Sequence, residues 1–288
     1  MSNIQLVVLD YDGTFTDIRD GAPLYDSAYV RALADFLSKG DLRQEWEHYK
    51  SQVRCESPEL AWQIASKAIA PAAADPFSLS SETTRKLIAA LRGDVTLSEA
   101  QLAGAQTELF NVAYQQISFP FRPDSRVVLG ILRTSKIAVS FVTNSATDAV
   151  KSHLQEVLFP AGLGALQVRG GAGKFLICDP ATPDPRFSAL PATKNAAGLK
   201  RPILLHRGKY FDVLKELWND ATFPATPETT LVVGDVWELD LAMPAALGCN
   251  VHLIERDSTY PYEFDEVDRL GTRGARSKNL LPILNWLK

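Results

Sequence analysis

Sulfur is scarce in this chain: its 288 residues include three cysteines and two methionines. Cys55, Cys178 and Cys249 are far apart and odd in number, and no CxxC pair or Cys/His cluster offers a zinc site. No apolar run approaches the roughly 18 residues that a bilayer span requires. The residues after Met1 form neither a basic leader nor a signal-length apolar stretch, and no Asn-x-Ser/Thr acceptor occurs. Glycine and proline, 17 of each, are too few for a collagen-like or wholly disordered chain. An excess of one charge is missing too. With 30 Lys+Arg against 34 Asp+Glu the formal net charge is −4, which leaves no basic footprint for general nucleic-acid binding. A local site can still oppose that balance and take an anionic small molecule. These absences set the expectation of a reduced, cytoplasmic protein without nucleic-acid or membrane partners; nothing in the pattern sets an oligomeric state.

What is present is a globular composition, 46% hydrophobic and 22% charged, and enough chain to bury a sizeable core in one large or two modest domains. Residues 4–9 are a short apolar run rich in β-branched side chains that ends at Asp10-Tyr-Asp-Gly13, the pattern of a buried strand meeting a turn. From about 24 to 118 the period turns helical, with candidate helices at 26–39, 41–54, 57–70, 81–92 and 97–117 and a glycine stop at Gly93. No strand is expected in that stretch. Beyond Pro123, strand and helix alternate: helix 124–134, strand 136–142, helix 146–158, short strands at Leu166–Val168 and Lys174–Cys178, helix 209–219, strand 230–234, helix 238–247 and strand 250–254. A last helix is expected from Leu280, Leu281, Leu284 and Leu287. Residues 179–202 hold five prolines and no period. Such alternation predicts an α/β fold built on a doubly wound parallel sheet, with residues 18–121 as an inserted all-helical domain and 1–17 with 122–288 as the core.

Three expected strand ends carry polar residues: Asp10 and Asp12 after the first, Thr143 and Asn144 after another, Asp235 after a third. Ligands of an open parallel sheet bind beyond the carboxyl ends of its strands, so these groups converge on one crevice. Carboxylates packed together raise one another's pKa. A hard divalent cation held by oxygens, most simply Mg²⁺, relieves that conflict, so the pattern predicts a metal site.

These residues resemble a known family. Leu6-Val-Val-Leu-Asp10-Tyr-Asp12-Gly-Thr14 is similar to the first motif of the haloacid dehalogenase (HAD) superfamily, a hydrophobic strand followed by Asp-x-Asp-Gly-Thr. Phe141-Val-Thr143-Asn144 is similar to its second motif, and Val232-Val-Gly234-Asp235-Val-Trp-Glu-Leu-Asp240 to its fourth. The resemblance implies a Rossmann-like core and Mg²⁺-dependent phosphatase chemistry on a small phosphorylated metabolite. In that scheme Asp10 is the nucleophile that forms an aspartyl-phosphate, and Asp12 protonates the leaving oxygen and then activates water. Thr143 and the backbone of Asn144 bind the phosphoryl oxygens. Asp235 holds the metal with Asp10 and the main-chain carbonyl of Asp12, and Asp240 supports the site. The inserted helical block occupies the place of the family's cap, which closes over the crevice and excludes water.

The family's third motif is a single lysine. Lys209, at a helix start and 26 residues before Asp235, is the first choice, followed by Lys200, with Lys194 and Lys174 behind. Its role is to shield the charge of Asp10 and bound phosphate. Other features carry less. Gly170-Gly-Ala-Gly173-Lys174 suggests a phosphate loop but has Phe175 where Ser or Thr is needed, so it reads as a turn. The four histidines show no ligand spacing. Two alternatives stay open: a phosphomutase with the same motifs, and a non-catalytic binding or scaffold protein that keeps the fold. Hydrolytic dehalogenation is disfavoured by Asp12, because dehalogenases resembling this fold lack the second aspartate.

Overall fold

The first apolar run becomes β1 (Leu6–Leu9), all four side chains buried, in a computed structural model that describes residues 4–91, 97–220 and 224–287. The chain divides into two units, Met1–Thr16 with Phe121–Lys288, and Asp17–Pro120. The expected stop at Gly93 lies outside the described residues.

The second unit contains α1 (Ile18–Phe36), α2 (Arg43–Glu56), β2 (Ala61–Ile64), β3 (Lys67–Pro71), α3 (Pro76–Ala90) and α4 (Glu99–Tyr114). Asp17 caps α1 by accepting from the Arg19 N–H at 3.1 Å, and Pro23 is accommodated inside the helix, which therefore begins earlier than residue 26. Tyr25, Tyr29, Trp46, Leu109 and Phe119 form its buried core. The helix expected over 57–70 is instead the antiparallel hairpin β2–β3, so the insert is mainly and not wholly helical. Its two turn residues, Ala65 and Ser66, have φ of +48° and +61°. Hairpin turns with positive φ favour Asn-Gly, whereas alanine favours helix, so the local sequence misdirects. Contacts with α3 decide the outcome: the Trp62 indole N–H donates to Ser81 Oγ at 3.2 Å and the Gln63 N–H to Glu82 Oε1 at 2.8 Å.

The first unit continues with α5 (Ser125–Thr134), β4 (Ala138–Val142), α6 (Thr147–Leu158), β5 (Gln167–Arg169), α7 (Pro185–Ser188), β6 (Thr193–Lys194), β7 (Ile203–Leu204) and α8 (Gly208–Trp218). It ends with β8 (Thr230–Gly234), a π-helical turn at Trp237–Leu241 leading into α9 (Ala242–Ala246), β9 (Asn250–Ile254), α10 (Pro261–Asp268) and β10 (Gly274–Ser277). The tail Leu281–Leu287 is a 3₁₀ segment and not an α-helix. Lys174–Cys178 is not a strand either; Cys178 makes an isolated parallel bridge to Arg207. No described helix is long and apolar enough to cross a membrane.

The main sheet has the order β10-β9-β8-β1-β4-β5, and every pairing is parallel. Apolar cover on both faces explains why β1 and most of β8 read as hydrophobic runs, whereas β9 also buries Asn250 and His252. Leu6 and Val8 join one core cluster, with α8 and Trp237, while Val7 and Leu9 join the other, with α5 and α6. From β1 the chain steps outward through β4 to β5, then returns to the other side of β1 for β8, β9 and β10. The strand order therefore reverses between β1 and β8, the place where such sheets open a ligand crevice. Leu9 pairs with Val233, so Asp10 and Gly234-Asp235 leave the sheet side by side.

Candidate functional site

Asp10 is the first residue beyond β1, and its N–H still bonds the Val233 carbonyl at 2.8 Å. The carboxylate is buried and engaged on both oxygens. Oδ1 accepts from Lys174 Nζ at 2.7 Å, and Oδ2 from the Thr14 hydroxyl at 2.9 Å. The same Thr14 hydroxyl lies 3.3 Å from Asp235 Oδ1. The chain returns Thr14 to this position by turning at Gly13, whose φ is +82°. A Cβ at Gly13 would stand 2.4 Å from Asp235 Oδ2, so the turn needs glycine both for its backbone angle and for the room it leaves the aspartate.

Lys174 is 1% exposed. Its ammonium sits between Asp10 and Asp240, 2.8 Å from Asp240 Oδ1, and 5.5 Å from the centroid of the Tyr210 ring. Asp240 is held in turn by the Val236 N–H on Oδ2 at 3.0 Å. Burial pushes the Asp10 carboxyl up to about 7, with the neighbouring Asp240 and Asp12 charges adding to the rise and Lys174 opposing it. For Lys174, burial works to lower the pKa, but the carboxylates of Asp10 and Asp240 outweigh it and keep the ammonium charged well above its ordinary range. Arg256 adds a second cation nearby, its Nε 3.6 Å from Asp235 Oδ2.

Asp12 points elsewhere. Its Oδ2 accepts from the Ser145 hydroxyl at 2.5 Å and lies 3.5 Å from the Thr143 hydroxyl, at the end of β4. Thr143 Oγ1 itself accepts from the Ser145 N–H at 3.1 Å. The intervening Tyr11 faces inward, edge-on to Phe141, and its hydroxyl bonds His153 Nδ1. Asn144 is exposed, yet its side-chain oxygen accepts the Lys174 N–H at 2.9 Å and so ties the second strand end to the lysine.

The strand-end residues therefore meet as two linked groups. Asp10, Asp235, Asp240 and Lys174 form one, and Asp12, Thr143 and Ser145 the other. The lysine is a correction. Lys209 is exposed, as is Lys200, and Lys194 pairs with Glu266; it is Lys174 that lies against Asp10. Its signal was its place five residues past the end of β5, at the carboxyl edge where parallel sheets put their sites. The glycine run that carries the chain there had the look of an ordinary turn. In the sequence Ser145 reads as part of the cap of the next helix, but α6 has Ala146 at its N-cap and the Ser145 hydroxyl bonds Asp12 instead.

The chemistry of the donor set fits a hard cation. Asp10, Asp235 and Asp240 each offer an oxygen within 4.8 Å of the others, all three buried. Asp10 and Asp235 share one Thr14 hydroxyl, and Lys174 and Arg256, the latter also paired with Glu263, are two cations against the three carboxylates; a divalent cation bound by oxygens can balance the charge that remains. Asp240 is already engaged by Lys174 and the Val236 N–H, which fits a supporting place. The Asp12 carboxylate is not one of the three.

No protein-family model matches the sequence, and no curated protein matches it at a significant level. Solved structures do match across the whole chain. A protein from Clostridium difficile assigned as a phosphatase superposes with a TM-score of 0.55 at 14% identity, each chain covered over 100% of its length. A protein of Haemophilus somnus 129pt assigned as a phosphoglycolate phosphatase gives 0.54, again at 14% identity and 100% coverage of both chains. One from Thermotoga maritima assigned as a β-phosphoglucomutase gives 0.50 at 16% identity, covering 99% of this chain and 98% of its own. At such identities the likeness speaks for architecture alone. Taken with the six-stranded parallel sheet, the likeness shows the α/β fold of these proteins, the fold that the motif resemblance to the haloacid dehalogenase superfamily implies.

Proposed function

We propose that the protein is a Mg²⁺-dependent phosphatase acting on a small phosphate monoester. The observation that carries this reading is the pairing of two differently held carboxylates two residues apart: Asp10, buried against Lys174, and Asp12, hydrogen-bonded by Ser145. An alkoxide leaving group needs a proton and a halide does not, so the second carboxyl favours ester cleavage over dehalogenation.

In this reading an Asp10 carboxylate oxygen attacks phosphorus, and the ester P–O bond breaks while Asp12 delivers its proton to the departing oxygen. Asp12, now a carboxylate, takes a proton from water as that water attacks the aspartyl-phosphate; the P–O bond to Asp10 breaks and inorganic phosphate leaves. Lys174 holds the Asp10 carboxylate in place and offsets the charge that phosphate brings. Thr143 and the Asn144 main chain bind the phosphoryl oxygens. Asp10, Asp235 and the Asp12 carbonyl would hold Mg²⁺, which when bound supplies positive charge to the phosphoryl oxygens, with Asp240 in support.

The test is phosphate release from an aryl phosphate and a panel of sugar and carboxylic-acid phosphates, with Mg²⁺ and with EDTA. Release is expected with Mg²⁺ only, and Asp10→Asn is expected to abolish it. Turnover in Asp10→Asn at the native rate would overturn the nucleophile, and release unaffected by EDTA would overturn the metal. Transfer of phosphate between positions of one sugar, without release, would move the reading to a phosphomutase.

A further inference from the structure

Between Lys174 and α8 the chain makes a long excursion, residues 179–206, that includes α7, β6 and β7. It closes on itself at a narrow neck, where the Cys178 N–H bonds the His206 carbonyl at 3.0 Å and the Gly208 N–H bonds the Cys178 carbonyl at 2.9 Å. The excursion is packed and not a free loop: Phe187, Leu199, Ile203 and Leu205 are buried in the same core cluster as Trp237 and α8. The residue at its returning end is Arg207, fully buried, and its Nη1 donates to the main-chain carbonyl of Lys174 at 2.5 Å.

A buried arginine is an expensive way to hold a loop. Desolvation lowers the Arg207 pKa to about 10, against the attraction of Glu238 and Asp240, and a well-packed apolar residue at such a site is commonly neutral or stabilising. What the guanidinium adds is direction. The Lys174 N–H is held by Asn144 at 2.9 Å and its carbonyl by Arg207, so the peptide groups on both sides of its Cα are fixed. A lysine side chain has four rotatable bonds, and its ammonium reaches one place reproducibly only if its Cα does not move.

Resting on the reading of Lys174 as the site lysine, we propose that Arg207 is a positioning residue: through the Lys174 carbonyl it sets where the ammonium meets Asp10 and Asp240, and it couples the packing of the 179–206 excursion to the site. Misplacing a catalytic group by about 1 Å can lower turnover by up to about 10²-fold.

The experiment compares wild type, Arg207→Met, which keeps the stem and removes the donors, and Arg207→Lys, which keeps a charge and one donor. Native protein is treated with an amine-acylating reagent, and labelling at each lysine is followed by mass spectrometry. Lys174 is expected to be protected in wild type and to label at least about fivefold faster in Arg207→Met, with partial recovery in Arg207→Lys, while Lys50, a buried lysine of the other unit, keeps its native rate. On an aryl phosphate, Arg207→Met is expected to lose about tenfold or more in kcat with little change in KM, and to lose nothing further in a Lys174→Ala background. Native labelling of Lys174 in folded Arg207→Met would overturn the proposal. If that variant does not fold, Arg207→Lys and Asn144→Ala are read the same way, and unchanged Lys174 labelling in both overturns it. Because labelling needs no turnover, absence of phosphatase activity would count against the proposed reaction and leave this result to be read on its own.

Discussion

Replacing Gly13 by alanine tests whether the geometry around Asp235 is that of a metal site. At φ +82° any residue with a Cβ is strained, by roughly 1–2 kcal/mol for a left-handed conformation. The second effect is local. The new Cβ would lie 2.4 Å from Asp235 Oδ2, and restoring an ordinary contact of 3.4 Å requires the carboxylate to retreat by about 1 Å. Magnesium binds oxygen at about 2.0–2.1 Å with little tolerance, so a shift of half a bond length is expected to weaken binding by at least about tenfold, or about 1.4 kcal/mol. The assay is thermal unfolding across a Mg²⁺ titration. Wild type is expected to gain stability with Mg²⁺ as a ligand bound only by the native state does. Gly13→Ala is expected to melt a few degrees lower without metal and to need about tenfold more Mg²⁺ for the same gain. A variant with the lower melting temperature but a native Mg²⁺ midpoint would refute the reasoning, since it would separate the strained turn from any role of Asp235 in binding.

Two further outcomes follow from the charges. Lys174→Ala is expected to lower kcat/KM by about 10²-fold or more, as for other groups that face developing charge, whereas Lys209→Ala should stay within about twofold; the reverse ranking would return the third motif to Lys209. In metal-free protein the Asp10 pKa of about 7 lies above its unfolded value, so the folded state favours the protonated form and the native carboxylate lowers stability as pH rises from about 4 to 7, and no further above that. Asp10→Asn does not titrate. Its stability in EDTA should therefore exceed that of wild type by more at pH 8 than at pH 5, the gap growing by at most about 3 kcal/mol, and a gap independent of pH would contradict the buried-carboxylate argument.

The parts of this fold that could be read from the sequence are those where one local signal dominates. β1, β4, β8 and β9 are buried and mostly apolar, and each of the first three is followed directly by a polar residue, Asp10, Thr143 and Asp235. Lys209 is the more conspicuous lysine because it stands at a helix start 26 residues before Asp235, whereas the 179–206 excursion separates Lys174 from α8 in sequence and its neck brings the two together. β10 is half-exposed and carries Arg276 and Ser277, so it lacks the hydrophobic run that marks its neighbours. α10 had a readable start in Pro261 with Glu263 bonding back to the Tyr260 N–H, but its eight residues span too few turns to show a period. At Ala65-Ser66 packing against α3 overrides local preference, and no local rule anticipates that.

The neck of the insert also bears on how the chain comes to fold. β1 must pair with β4, and Leu6 and its partner Ala138 are separated by about 130 residues. Within the insert, however, the Asp17 N–H bonds the Pro120 carbonyl at 2.7 Å, so its two ends meet. If residues 17–120 fold first, the loop that remains to be closed between Leu6 and Ala138 shrinks to fewer than about 30 residues. By the logarithmic scaling of loop closure that lowers the entropic cost by about 1.4 kcal/mol, roughly tenfold in the probability of encounter. The insert, uninterrupted in sequence, can form before β8 has left the ribosome, whereas the central sheet cannot be completed until β8 is made. Folded first, the second unit would shorten the path to the central strand pair of the first.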